Sequence, residues 1–295
     1  MSLRGHGRYD YVPITRRADY AWPGGKRLAV YVGLNLEHFA FGEGLGAELV
    51  PGGPQPDVLN YAWRDWGNRV GAWRLRDLLD ELALPCSALI NTSLYDACPE
   101  LVAAFRARGD EIVAHGHTNA ERQSLLPEAE EQALIRRVTD SIRAHEGTPP
   151  AGWLGPWIAQ SHATPDLLKE SGYAYVLDWC HDDQPCWLNT RAGKLLSMPY
   201  PQELNDIPAI VVRRTAADVF ADMIVDNFDE MLAQSRAQPL VMGIALHAYI
   251  VGQPFRLRQL RRALRHVAQH HAVAWLTTAG AIAAHVTSLP AGTVP

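Results

Sequence analysis

Three short stretches carry the side chains best suited to hydrolytic chemistry. Glu37 and His38 are adjacent, His115 is followed by His117 and Asn119, and His247 closes an apolar run. Glu37 can act as a general base that takes a proton from water, and His38 can bind a metal or orient that base. Both can equally be a strand-end pair bonded to loop backbone. His115 reads as a metal ligand or as a histidine pinned by backbone hydrogen bonds. Asn119 lies four residues on, where a helical turn would bring it back over His115. An amide oxygen is a weak ligand for zinc, which prefers nitrogen and sulfur. His247 can donate a proton to a leaving nitrogen, or be a satisfied core histidine. No G-x-S-x-G elbow and no Gly-rich phosphate loop occurs, so an activated water fits better than a covalent intermediate.

These residues follow segments that read as strands. Leu28 to Leu34 leads into Glu37-His38, Glu111 to Ala114 into His115, and Leu240 to Leu246 into His247. Polar side chains just beyond the carboxyl ends of parallel strands are where αβ folds place their chemistry, so three distant strand ends predict one site. Further strands are predicted at Ser87 to Asn91, Gly152 to Leu154, Tyr173 to Asp178, Leu195 to Met198, Ala209 to Val212 and Ala272 to Leu276. Amphipathic helices are predicted at 65–83, 99–108, 128–146, 164–171, 216–235 and 256–270. The alternation predicts a parallel sheet, closed or nearly closed into a barrel. Residues 1–25 read as an extended lead-in and 26–290 as the barrel domain. The segment 39–60, rich in Gly and Pro, reads as a loop that walls or covers the site.

Composition narrows the partners. The chain has 295 residues, 47% of them hydrophobic, and a formal charge of −5. No basic stripe marks a nucleic-acid surface; the basic run Arg256 to Arg265 has helical spacing and reads as a solvated face. No run of about 18 apolar residues is available to span a membrane. The four cysteines form no zinc-knuckle spacing and read as reduced thiols of a cytoplasmic protein. Trp153, Trp157 and Trp187, with Asp183 and Asn205 in polar turns, are the candidates for substrate contact. The apolar stretch Val273 to Val286 is a candidate packing face for a homo-oligomer.

The order of motifs resembles the polysaccharide deacetylase (NodB homology) superfamily, and within it the allantoinase and cyclic imide hydrolase branch. The resemblance rests on Asn35-Leu36-Glu37-His38, Glu111 to Gly116, Gly152-Trp153, Asp182 to Trp187, Pro199-Tyr200 with Asn205-Asp206, and Leu246-His247 before Val251-Gly252-Gln253-Pro254. It implies a distorted (β/α)7 barrel and hydrolysis of a non-peptide carbon–nitrogen bond by activated water. Residue by residue, it implies Glu37 as general base, His247 as general acid, and His38, His115 and Asn119 at the positions of a divalent metal, zinc or similar. The sugar deacetylases carry Asp-Asp where this chain has Glu37-His38, and a second histidine where it has Asn119. The expected substrate is therefore a small cyclic amide such as an allantoin-like ureide. The rivals are an N-deacetylase of amino sugars and an inactive, ligand-binding relative.

Overall fold

The computed structural model describes residues 5–295. Its strands are β1 (Leu28–Leu36), β2 (Cys86–Ile90), β3 (Glu111–Ala114), β4 (Gly152–Trp153), β5 (Tyr175–Val176), β6 (Cys186–Thr190), β7 (Gly193–Ser197), β8 (Leu240–His247) and β9 (Ala274–Thr277). They form one sheet in the order β6-β7-β5-β4-β3-β2-β1-β8. From β7 to β8 every neighbouring pair is parallel; β6 adds an antiparallel hairpin at the edge. Seven parallel strands (β7, β5, β4, β3, β2, β1, β8) with helices outside make a distorted (β/α)7 barrel. β1 is its axis of assembly. Its first half pairs with β9 from Leu28↔Ala274, its second half with β2 from Val32↔Cys86, and its other edge with β8 throughout.

Strand parity divides the core. On β1, Leu28, Val30, Val32, Leu34 and Leu36 face the helices, while Ala29 and Tyr31 face the barrel interior. On β8, Leu240, Met242, Ile244 and Leu246 face outward, and Val241 and Ala245 inward. Successive side chains of a strand point to opposite faces, so the inward row of β1 runs on through Asn35 to Glu37 and that of β8 to His247. On β3 and β4 the inward positions are Val113 and Leu154, and the outward ones Ala114 and Trp153.

No strand ladder joins β8 to β7. Irregular segments fill the seam: Val241 N–H donates to Asp183 O (2.8 Å), and Ala245 N–H donates to Leu204 O (2.9 Å). The predicted strand Ala209 to Val212 is instead a π-helical segment, Ile207–Val212. The Asn205 Oδ1 accepts from Ile207 N–H (3.1 Å), and Pro208 follows in the first turn, so a turn wins over the β-branched run. β6, where the sequence reading places no strand, pairs with β7 through a reversal at Gly193 (φ 112°). The predicted packing face Val273 to Val286 is largely spent inside the chain. Ala274, Ala279, Ile282, Ala283 and Val286 are buried. No helix among the described residues is long and apolar enough to cross a membrane.

One contact ties the helical layer to the site. The helix Val58–Trp66 continues through a π-turn, Gly67–Gly71, into Ala72–Glu81. A Cβ on Gly71 would stand 2.2 Å from Ala248 O, and one on Gly252 would stand 2.5 Å from Gly71 Cα. Backbone therefore lies on backbone just beyond His247, and no flexible side chain is there to yield. Gly71→Ala is expected to destabilise the fold by about 1–3 kcal/mol through overpacking, read as a lower denaturation midpoint; an unchanged midpoint would show that this approach is not tight.

Candidate active site

Glu37 stands at the centre of the site. Its side chain is buried, Oε1 accepts a hydrogen bond from Asn119 Nδ2 (2.6 Å), and Oε2 has no partner. The Nε2 atoms of His115 and His247 each lie 3.6 Å from the same Oε1. Burial pushes the carboxyl upward, but the imidazoles of His247 and His115, with the more distant charge of Arg64, outweigh it and leave Glu37 below its usual range. The group is therefore an ionised base at neutral pH.

The two histidines are aimed from behind. His115 Nδ1 donates to Leu154 O (2.8 Å), which turns Nε2 toward Glu37. A carbonyl can only accept, so this bond sets which ring nitrogen carries the proton. Asp206 clamps His247 twice: Oδ2 accepts from the backbone N–H (2.8 Å) and Oδ1 from Nδ1 (2.6 Å). Burial lowers the His247 pKa, yet Asp206 and Glu37 more than compensate, and it lies above the ordinary histidine value. Burial in turn pushes Asp206 upward against the pull of His247. With Nδ1 committed to Asp206, Nε2 is the ring nitrogen through which a protonated His247 can deliver its proton to the cavity.

A chain of amides settles what Asn119 offers. His38 N–H, a donor beyond doubt, gives its hydrogen bond to Asn91 Oδ1 (2.7 Å). The Asn91 amide nitrogen must then face His115 O and Asn119 Oδ1, the latter at 3.0 Å. The Asn119 oxygen is spent on Asn91, and its NH2 is what reaches Glu37.

The expected metal ligands do not come together. His38, one residue past Glu37, has the opposite parity and turns out of the barrel, where Nδ1 meets Ser93 Oγ (2.9 Å). Asn119 presents N–H rather than a lone pair. Of the three positions only His115 keeps a free donor atom at the site, and among the described residues no three His, Cys, Asp or Glu side chains are arranged to hold a metal ion. The residues present do not fit the implied metal, whose ligation needs several lone pairs on one point.

The expected substrate contacts divide. Trp157 and Asn205 line a cavity of about 250 Å³ that opens over Glu37, His115 and His247. Trp153, Asp183 and Trp187 do not. Trp153 takes the outward parity of β4 and packs on Tyr173 (5.5 Å between ring centroids). Asp183 lies in the seam, below the carboxyl ends of the strands, and Trp187 is on the edge strand β6, its N–H donating to Pro295 O (2.6 Å). Arg64 and Tyr249, which have no part in the sequence reading, also belong to the site, as does Asp206, which enters there only as the neighbour of Asn205 in a polar turn. Asp206 adjoins Asn205 in a turn, and its link to His247 spans 41 residues. Arg64 lies one residue before the predicted helix 65–83, with no motif around it to mark it.

Asp206→Asn is expected to lower the His247 pKa, observable by NMR titration of its ring protons. His247 is raised in the folded chain above the ordinary value of about 6.5. Its contribution to stability is present in full below that value and fades as pH rises through the elevated one. The stability gap between wild type and variant should therefore close on going from acid to alkaline pH. A gap that widens would contradict the assigned pairing.

Comparison with known proteins agrees with the fold. Residues 62–176 match the family model described as Polysaccharide deacetylase. A "Putative polysaccharide deacetylase" of Schizosaccharomyces pombe is 25% identical over 276 residues, 88% of this chain and 85% of that protein. The crystal structure of Puue Allantoinase superposes with a TM-score of 0.80 at 26% identity, covering 97% of this chain and 96% of its own. A probable polysaccharide deacetylase from Pseudomonas aeruginosa PAO1 superposes with a TM-score of 0.77 at 26% identity, over 90% of this chain and 92% of its own. Sequence and barrel lead to the same place: the chain is similar to polysaccharide deacetylases in sequence over residues 62–176 and shares its barrel with them and with Puue Allantoinase.

Proposed function

We propose that the protein hydrolyses the carbon–nitrogen bond of a compact amide, and that a cyclic one, an allantoin-like ureide or cyclic imide, is the substrate class. One observation carries this reading: an ionised carboxylate with a free oxygen, flanked by two imidazoles, opens into a cavity of only about 250 Å³. Pockets for drug-sized ligands measure roughly 300–1,000 Å³, so this smaller space suits a small ring. Phe39, Trp157 and Tyr249 wall it and would stack on a flat heterocycle.

The chemistry balances with the residues present. Glu37 Oε2 accepts a proton from water as the water oxygen bonds to the amide carbon. The carbon–nitrogen bond breaks as the nitrogen takes the proton from His247 Nε2. The proton gained on Glu37 Oε2 then passes to the deprotonated His247 Nε2, which stands 3.6 Å from the other oxygen of the same carboxyl group, and this resets the site. Asp206 holds the imidazole in the orientation this exchange needs, and Asn119 fixes the carboxylate. The net reaction adds water across the bond and gives an acid and an amine.

A second reading, removal of an acetyl group from an amino sugar, is favoured by the family model matched over residues 62–176. The experiment that separates them assays allantoin, hydantoins and cyclic imides beside N-acetylated amino sugars. Ring opening without acetate release is expected. Glu37→Gln should lower turnover of whichever substrate is hydrolysed by roughly 10²–10⁴-fold with the thermal melt retained. A Glu37→Gln protein of full activity would overturn the assignment of the base.

A further inference from the structure

Arg64 has no role in the chemistry above, yet it is set in the wall of the same cavity. It is only 8% exposed. Its guanidinium carbon lies 3.9 Å from the centroid of Phe39, 5.5 Å from that of Tyr249 and 5.8 Å from that of Trp157. Nε donates to Asn60 Oδ1 (3.1 Å), and Asn60 is itself held by Gly46 O (2.7 Å). Among the described residues the two terminal nitrogens make no hydrogen bond, and no carboxylate comes within ion-pair distance. Its charge is felt by Glu37 and His247 across the cavity without touching either. A buried guanidinium held by ring faces keeps its position, but its planar fork of N–H donors stays unspent. A buried charge without a counterion is costly, and bidentate pairing with a carboxylate is the partner that geometry matches best.

We infer that Arg64 is a specificity residue, and that the natural substrate is an amide bearing a carboxylate, which the free edge of the Arg64 guanidinium takes as the scissile group settles over Glu37. This rests on the cavity being the substrate site proposed above and narrows the class from neutral rings to acidic ones. The aromatic rings have a second use here, since they hold the cation rigid and cover the apolar part of the ligand.

The test uses two probes of one shape, hydantoin-5-acetic acid and hydantoin-5-acetamide, with binding measured by calorimetry and ring opening assayed separately. Wild type should bind the acid roughly ten- to a hundredfold more tightly than the amide, the range of a charged hydrogen-bonded contact. Arg64→Gln should erase that preference, the ratio of the two probes' KM values falling toward one, with any change in kcat common to both because the Arg64 charge also bears on Glu37. Arg64→Lys, which keeps charge without the fork, should recover only part of the preference. If Arg64→Gln does not fold, the wild-type ratio and the lysine variant still decide. Equal binding of the two probes, or a preference that survives in Arg64→Gln, would overturn the inference. Tight binding of the acid with no ring opening would count against the proposed hydrolysis while upholding Arg64; ring opening with no preference for the acid would do the reverse.

Discussion

A carboxylate inside an apolar barrel stays ionised only when charge and donors surround it. Glu37 meets that constraint from four directions, with Asn119 N–H on one oxygen, His115 and His247 beside it, and Arg64 further off. Each of these needs support of its own. Asn119 is oriented by Asn91, His115 by Leu154 O, and His247 by Asp206, while Arg64 is held by ring faces. The outer layer is thus a consequence of keeping one buried negative charge useful. A partly satisfied polar network in low dielectric is worse than none, so its members have to be present together.

The barrel supplies these partners partly through its irregularity. If β7 and β8 were joined by a ladder, the stretch 199–212 would not enter the seam, and Asp206 would not stand behind His247. The bridge between Asn205 and Ala245 marks where irregular chain takes the place of a strand. The opposite wall is strained in the same service. Trp157 and Ile158 take positive φ values of 63° and 52°, which cost energy for large side chains and persist only where surroundings enforce them. Trp157 Nε1 donates to Asn119 O (2.8 Å), and the preceding Gly155 N–H donates to Asp178 (2.7 Å). Burial pushes the Asp178 carboxyl up to about 7, so this anchor changes its protonation near neutral pH.

The helical layer is attached at a point where no side chain intervenes. Gly71 and Gly252 allow the π-turn and the segment after β8 to touch through their backbones. Asn68, on that turn, donates to Glu37 O (2.8 Å), and Arg64 lies one turn earlier. Fixing this contact fixes the catalytic loop, the cation and the carboxylate's own backbone relative to each other. The close packing of glycines and the precision of the site are one feature.

Much of this was legible in the chain itself. Apolar runs located β1, β3 and β8, the β3 run bounded by Gly109-Asp110 and Gly116, because a strand buried on both faces has no polar alternation to disguise it. The three residues after them, Glu37, His115 and His247, share one cavity. Period-two alternation, carried one residue further, also separates Glu37 from His38 and Leu154 from Trp153; those two outward residues are spent on Ser93 and Tyr173. What the tertiary structure alone decided lies across distance in the chain. The orientation of the Asn119 amide follows from a bond to Asn91, the tautomer of His247 from Asp206, and the significance of Arg64 from three rings drawn from separate segments. Local residue types set which atoms can donate or accept, but which of them are spent and which remain free for a substrate is a property of neighbours that only folding brings together.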